Sequence, residues 1–145
     1  MQKLKAKGLH HQLVRLFGSW LRKRRAHVVV GGVASKEMSL EDMVFQGTVL
    51  GPCLWNLFYA DVKKTCIKAG FEDTIFADDL NAFREEDASV SNELLLTYAA
   101  DCQSQVHLWG AANGAAFGPT KESAHVLSKH DPAGESVALL GITYD

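Results

Sequence analysis

The chain is poor in proline and cysteine, contains no long apolar run, and lacks acidic residues over its first 36 positions. Three prolines in 145 residues, with 47% hydrophobic and 22% charged residues, exclude a disordered chain and are typical of folded soluble proteins. No apolar stretch approaches the roughly 18 residues that a membrane-spanning helix requires. The length fits one domain, or part of a larger one.

The amino terminus and the cysteines indicate a compartment. The basic start MQKLKAK leads into an amphipathic segment instead of a signal-peptide core, so we expect a nuclear or cytoplasmic protein that is not secreted and has no membrane partner. Cys53, Cys66 and Cys102 are odd in number and form no C-x-x-C pair, which argues against a disulfide framework or a zinc knuckle. We expect all three to be small core residues in a reducing compartment.

Charge is distributed unevenly along the chain. Residues 1–36 contain nine Lys or Arg and no Asp or Glu, whereas the remaining residues contain six basic against seventeen acidic side chains. A basic part beside an acidic part is typical of a protein that binds phosphates with one and cations with the other. The run Arg22, Lys23, Arg24 and Arg25 is therefore a candidate contact to nucleic-acid phosphates, although a solvated helix end explains it equally well.

Hydrophobic spacing predicts helices that alternate with short strands. The expected elements are a helix over about 8–24, a strand at HVVVGG with a partner near 33–40, a glycine loop leading into an apolar helix, strands TIFA and LNAF, a helix capped near Ser91 and ending around Asn113-Gly114, a strand at SAHVLS, a polar loop HDPAGES and a last strand ALLGITYD. This order predicts an α+β fold, with an antiparallel sheet and helices packed on one of its faces.

The Asp-Asp dipeptide at 78–79 lies between the predicted strands TIFA and LNAF, at the tip of a hairpin. Neighbouring strand residues point to opposite faces, so we expect one carboxylate to aim into a cleft with the other beside it. Magnesium takes one or two carboxylates, and two such ions about 3.5 to 4 Å apart can clamp a phosphoryl displacement. The pair therefore suggests nucleotidyl or phosphoryl transfer, although Asp-Asp at a turn is more often a solvated loop.

The segment QGTVLGPCLWNLFYADV, followed by FADD, resembles the reverse transcriptases of non-LTR retrotransposons. Upstream, KLKAKGLHHQLVRLFGSWLRKRRAHVVVGG resembles the helix and hairpin before that family's glycine loop; downstream, HLWGAANGAAFGPTKESAHVLS resembles its helix and lysine-bearing loop, and ALLGITYD its L-G strand. The resemblance implies an RNA-directed DNA polymerase, a nucleotidyltransferase with a palm-type antiparallel sheet. It divides the chain into a basic helix and hairpin (1–40), a glycine loop and helix (41–66), a catalytic hairpin (72–84), and a helix, lysine loop and terminal strands (90–145).

The resemblance also implies roles for individual residues. Asp78 and Asp79 become the catalytic carboxylates that ligate two Mg²⁺ ions, Phe76 the aromatic under the primer end, and Ala77 the small residue between them. Substrates and partners would be an RNA template, a DNA primer and deoxynucleoside triphosphates.

Three further positions come from two loops. Gln46 and Gly47 match the loop that contacts the template and the incoming nucleotide, where a side chain would obstruct the backbone. Lys121 matches a lysine that assists the leaving pyrophosphate, although an ordinary surface lysine is an equal alternative. Phe45 and Thr48 depart from the family's proline and serine.

The family's palm uses a further Asp on an earlier strand, and nothing before Gly8 resembles that segment. We therefore expect an incomplete polymerase palm that binds Mg²⁺ weakly and is inactive or nearly so by itself. The alternative is a degenerate retroelement remnant that acts at most as a nucleic-acid-binding or interaction module; an unrelated metal phosphotransferase would leave the two loops unexplained. His125 and His130 have zinc-like spacing, but without a nearby cysteine pair they do not predict a zinc site. We expect residues 85–87, which follow the hairpin, to be a solvated turn.

Overall fold

The computed structural model describes residues 1–40, 44, 47–128, 131–139 and 142–144. Contacts divide the chain into two units, Met1–Ala60 and Asp61–Asp145. Both contain helices and small antiparallel sheets, so the α+β class expected from the sequence is confirmed. Among the described residues, no helix combines the length and the apolar character needed to cross a membrane.

The first unit is built around its helices. Its elements are α1 (Gln2–Ala6), α2 (His11–Leu21), β1 (Arg25–Ala26), β2 (Val29–Val30), β3 (Val33–Ala34), β4 (Met38–Ser39) and α3 (Gly51–Tyr59). Leu4, Val14 and Leu54 form a buried core, one residue from each helix. Leu13 and Leu16 are exposed, because the buried side of α2 is centred on Val14.

Helix α2 ends at Leu21, three residues before the predicted boundary. Arg22 is already extended, and Lys23 has a φ of 53°, a left-handed conformation that a lysine rarely adopts and that cannot continue the helix. Arg25 then begins β1. The prediction that RKRR lies within a helix is therefore wrong.

The predicted hairpin after RKRR is confirmed. Strand β2 pairs with β3, and β1 pairs with β4, both antiparallel. The turn consists of Gly31 and Gly32, with φ values of 57° and 82°. Positive φ at both central residues matches a type I′ turn, whose twist suits a two-residue hairpin and which glycine adopts without strain.

The second unit contains α4 (Val62–Lys68), β5 (Glu72–Phe76), β6 (Asp79–Phe83), α5 (Asn92–Asn113), a 3₁₀ turn (Pro119–Lys121), β7 (His125–Val126), β8 (Ala133–Gly134), β9 (Val137–Leu139) and β10 (Ile142–Tyr144). Helix α4 packs against both α5 and β5. The buried side chains at these contacts are Val62, Cys66, Phe71, Cys102 and Val106. Two of the three cysteines are therefore core residues as expected, whereas Cys53 on α3 is exposed and the prediction for it is wrong.

Helix α5 has the ends that its sequence predicts. Ser91 Oγ accepts a hydrogen bond from the Leu94 backbone N–H at 3.3 Å, which caps the amino terminus. At the other end Gly114 has a φ of 71°, and the Asn113 side chain donates to the Trp109 carbonyl at 2.8 Å. The W-x-x-x-N-G pattern at 109–114 therefore has a local structural role, because it terminates the helix.

The carboxyl-terminal strands differ from the prediction. In place of one last strand over ALLGITYD, β9 and β10 pair with each other as an antiparallel hairpin. Part of the predicted polar loop HDPAGES forms β8, which pairs with β7. Over the described ranges, the strands pair into five two-stranded sheets, so the palm-type sheet stays a prediction.

Candidate functional site

The Asp-Asp dipeptide lies at the tip of the β5–β6 hairpin. Phe76 is paired with Asp79, and the two residues between them, Ala77 and Asp78, form the turn. Of the two turn residues only Ala77 has a positive φ, at 55°. A left-handed conformation costs an alanine about 1 kcal/mol or more, so the residue before Asp78 is strained.

The two faces of this hairpin differ in exposure. Directly paired residues of an antiparallel ladder lie on the same face, so Asp79 shares the face of Phe76 and of the Thr74–Asn81 pair. Phe76 is 60% exposed on that face. We predicted that two strand residues would point the carboxylates to opposite faces, but only Asp79 belongs to a strand and Asp78 lies in the turn.

The donor set at this tip consists of two carboxylates in water. Asp78 and Asp79 are both exposed, and two charges about 4 Å apart repel by only about 1 kcal/mol at the dielectric constant of water. Carboxylate oxygens are hard donors that suit Mg²⁺, which needs only one or two of them and completes its shell with water. Within the described part of the chain, no group of three or more His, Cys, Asp or Glu side chains is arranged to hold a metal ion. The tip therefore fits the part of a magnesium site that two carboxylates can supply.

The base of the hairpin is anchored to the helices. Asp73 lies on the face opposite Asp79, its side chain is only 6% exposed, and its Oδ1 is 3.6 Å from Lys63 Nζ of α4. Beyond β6, the Arg84 guanidinium lies over the rings of Phe71 and Tyr98, 5.4 and 4.3 Å from their centres. These contacts fix the base and leave the tip exposed.

The lysine loop docks on α5 through the residue that follows Lys121. Lys121 is exposed at the end of the 3₁₀ turn, whereas Glu122 is hydrogen-bonded to Gln103 and to His107, whose Nε2 is 2.8 Å from Glu122 Oε2. Partial burial raises the pKa of Glu122, but the hydrogen bonds from Gln103 and His107 outweigh it, and the pKa lies below its ordinary value. Gln103 and His107 are four residues apart on one helix face, a spacing that could have indicated a shared partner. Sequence reasoning missed Glu122 because its partners lie in a distant segment.

The glycine loop is described from Gly47 onward. Gly47 has a φ of 84° and is exposed, and a Cβ at this position would meet nothing within 4 Å. Glycine is therefore required here by its backbone conformation, whereas the close backbone approach that we predicted is not seen within the described chain. Gln46 and Phe45 lie outside the described residues. The Thr48 carbonyl accepts the Gly51 N–H at 3.2 Å, next to the start of α3.

The basic run is spread over several environments in the first unit. Arg22 and Lys23 are exposed. Arg24 is half-buried with its guanidinium 5.3 Å from the centre of the Trp20 ring, and Arg25 forms an ion pair with Glu37 at 2.7 Å. The guanidinium groups of Arg24 and Arg25 are thus engaged within the chain. Arg22 and Lys23 are therefore the stronger candidates for contacts to phosphate.

Two other polar groups have local roles. Asp87 Oδ1 accepts the Ser89 N–H at 2.9 Å, and hydrogen bonds from Ser89 hold the pKa of Asp87 below its ordinary value, as in a solvated turn. His125 Nδ1 lies 3.1 Å from the Glu135 carbonyl, and His130 falls outside the described residues.

The residues that resemble the reverse-transcriptase motifs are divided between the two units. Phe76, Ala77, Asp78 and Asp79 come together at one hairpin tip in the second unit, which also contains Lys121. The glycine loop and the basic run belong to the first unit. Comparison of the chain with protein-family models, with curated proteins and with solved structures finds no match.

Proposed function

We propose that this chain is a palm fragment of an RNA-directed DNA polymerase of the non-LTR retrotransposon type. In this proposal β5–β6 is the catalytic hairpin of a palm-type sheet. Asp78 and Asp79 hold magnesium, and Lys121 assists the leaving pyrophosphate. The substrates are an RNA template, a DNA primer and deoxynucleoside triphosphates.

One observation carries the proposal: the F-A-D-D segment forms the tip of a hairpin with a two-residue turn, and both carboxylates are exposed. A solvated turn would also expose them, but it would not need an exposed aromatic ring on the same face as Asp79. A base presents an apolar ring face, and stacking on an aromatic side chain contributes about 1 to 3 kcal/mol. In the proposal, Phe76 contacts a base while Asp79 contacts a phosphate-bound cation.

Bound Mg²⁺ would supply charge neutralisation for a phosphoryl group in transfer. The chain's own contribution is a pair of hard oxygen donors on a hairpin whose base is fixed by Asp73 and Arg84. Since two carboxylates are the whole donor set at the tip within the described residues, the affinity for Mg²⁺ is weak. We expect the isolated chain to be inactive or nearly so for the same reason.

A magnesium titration followed by amide chemical shifts tests the metal assignment directly. The shifts of residues 76–80 should move in the intact chain and stay fixed in Asp78→Asn and Asp79→Asn. Asp87→Asn is the matched control, because Asp87 is an exposed carboxylate in the same unit and outside the hairpin. Equal movement around Asp87 and around Asp78 would indicate diffuse counter-ion binding and would contradict a site at the tip.

Primer extension on an RNA template tests the activity. The isolated chain and Asp78→Ala should give the same background level of product. Extension above the Asp78→Ala level would refute the expected inactivity while supporting the polymerase assignment. Addition of deoxynucleoside triphosphate should strengthen the Mg²⁺ response at the tip, since phosphate oxygens fill positions that water otherwise occupies.

A second candidate function is nucleic-acid binding without catalysis, by a degenerate remnant of the same family. It is favoured by the exposure of Arg22 and Lys23 in a segment of 36 residues without acidic side chains. Affinity that falls steeply with salt, and that is insensitive to Mg²⁺ and to Asp78→Ala, would support it. Substitution of Arg22 and Lys23 by glutamine should reduce the salt slope, whereas Lys64→Gln and Lys68→Gln, also exposed lysines, should not.

A further inference from the structure

Two thiols meet in the core beneath the Asp-Asp hairpin. Cys66 on α4 is fully buried, and Cys102 on α5 is 3% exposed. The two helices pack on each other, and the two thiols are hydrogen-bonded to each other. Neither cysteine is in a disulfide.

A buried carboxylate completes this cluster. The Asp73 side chain comes from β5 and lies close enough to Cys66 to oppose its ionisation. Its Oδ1 receives no hydrogen bond within the described residues, although Lys63 Nζ lies 3.6 Å away. Three elements, α4, β5 and α5, therefore meet at two thiols and one carboxylate, and any covalent change at the thiols acts on the base of the hairpin.

We propose that Cys66 and Cys102 form an oxidation-responsive pair, which a small peroxide converts into an intramolecular disulfide that ties α4 to α5. The segment between them, 67–101, contains both strands of the Asp-Asp hairpin. The disulfide would close this segment into a loop and hold the hairpin base against the helices. This inference is independent of the polymerase proposal.

The hydrogen bond assigns different roles to the two sulfur atoms. Burial raises the pKa of Cys66 to about 12, with Cys102 and Asp73 adding to the effect. Burial also raises the pKa of Cys102, but the hydrogen bond from Cys66 stabilises the Cys102 thiolate and opposes that rise. Cys102 therefore ionises first and reacts with the oxidant, while Cys66 stays protonated until it resolves the intermediate.

The reaction consumes one hydrogen peroxide for each disulfide. The Cys102 thiolate attacks one peroxide oxygen, the O–O bond breaks, and the departing hydroxide takes up the thiol proton as water, which leaves a sulfenic acid. The Cys66 sulfur then attacks Cys102 Sγ, the S–O bond breaks, and hydroxide leaves with the Cys66 proton as a second water. Two thiols are oxidised by two electrons in total, and the peroxide is reduced by two.

The pair responds slowly. Burial raises the pKa of both thiols above the ordinary value for cysteine, so little of either thiolate is present at neutral pH, and both sulfurs are covered by protein. The pair is therefore inert to brief oxidation and reacts under sustained oxidation. Closing a loop of a few tens of residues reduces the entropy of the unfolded chain, so the oxidised form should melt on the order of 10 °C higher.

The test uses the full chain carrying Cys53→Ala, since exposed Cys53 would otherwise form intermolecular disulfides. After incubation with hydrogen peroxide, we expect a mass loss of two hydrogens, a peptide linking Cys66 to Cys102, and a higher melting temperature that dithiothreitol reverses. Amide hydrogen exchange at the base of the hairpin should slow in the oxidised form. Over-oxidation of either cysteine without a cross-link, or two thiols that remain reduced in the folded chain, would overturn the proposal and leave the pair a packing contact.

Variants that lack one cysteine of the pair test the assigned roles. In Cys53→Ala/Cys66→Ala, dimedone should trap a sulfenic acid at Cys102, because no resolving thiol is present. In Cys53→Ala/Cys102→Ala, Cys66 should stay unmodified over the same period. Trapping at Cys66 with equal yield would contradict the order of reaction. Circular dichroism of each variant before oxidation establishes that the trapping reports on a folded chain.

Discussion

The Arg84 guanidinium lies 4.3 Å from the centre of the Tyr98 ring, so the residue that follows the Asp-Asp hairpin rests on the long helix α5. The same guanidinium lies over Phe71 and forms an ion pair with Glu86. A partly desolvated cation over an aromatic face contributes about 1 kcal/mol, and the aliphatic stem adds packing. The hairpin is therefore held at its base by a contact that its own strands do not make.

We expect Arg84→Ala to lower the free energy of unfolding by about 1 to 2 kcal/mol. Denaturant titration should detect this loss, and Arg22→Ala, which removes an exposed arginine, should change stability by less than about 0.5 kcal/mol. A double-mutant cycle with Tyr98→Leu isolates the ring contact. Additive losses in that cycle would show that Arg84 acts through its other partners.

The strained turn residue gives a prediction of opposite sign. Ala77→Gly should raise the free energy of unfolding by about 0.5 to 1 kcal/mol, because glycine adopts a φ of 55° without the steric cost that alanine bears. Ala82→Gly, in the adjoining strand β6, should instead destabilise by a similar amount. Thermal unfolding of the two variants provides the comparison. Equal destabilisation by both would mean that the Ala77 conformation carries no strain.

The features that sequence reasoning predicted correctly are local ones. Ser91 caps a helix whose first turn it can reach, Gly114 ends that helix in a left-handed conformation, and Gly31-Gly32 supplies the two positive φ values of a hairpin turn. Each depends on residues within a few positions, so the sequence is sufficient. The Asp-Asp hairpin belongs to the same class.

The features that it missed depend on distant partners or on unusual backbone conformations. Glu122 is fixed by side chains of α5, and the burial of Asp73 depends on α4. Helix α2 ends early because Arg22 is already extended, and Lys23 then adopts a left-handed conformation that no propensity favours for lysine. Cys53 is exposed because α3 packs on the core through Leu54, and Cys53 lies on a different side of that helix.

Two glycines near the end of α5 should respond differently to alanine. A Cβ at Gly110 would lie 2.6 Å from the Ala115 carbonyl oxygen and 2.9 Å from the Phe117 ring, whereas at Gly118 the nearest atoms are flexible carbons of Lys121 at 3.9 Å. Gly110→Ala should therefore cost about 1 to 3 kcal/mol, because a backbone oxygen must move. Gly118→Ala should change stability by no more than about 0.5 kcal/mol. Chemical denaturation distinguishes them, and a tolerated Gly110→Ala would mean that segment 115–117 is free to shift.

The Glu122 contact predicts how stability depends on pH. The pKa of Glu122 lies below its ordinary value of 4.5 in the folded chain, because hydrogen bonds from Gln103 and His107 outweigh the effect of burial. Because folding lowers the pKa of Glu122, its carboxylate contributes stability that is present above about pH 4.5. This contribution is lost as the pH falls through the pKa that Glu122 has in the folded chain. Glu122→Gln should remove this contribution, so wild type and variant should differ at pH 6 and converge in acid.

Urea titrations at several pH values between 3 and 6 measure this difference. Glu85→Gln is the matched control, since Glu85 is exposed in a loop of the same unit and its substitution should leave the wild-type pH dependence unchanged. A wild-type curve that stays parallel to the Glu122→Gln curve down to pH 3 would mean that the carboxylate has the same proton affinity in both states. In that case the Gln103 and His107 contacts would not hold the lysine loop on α5.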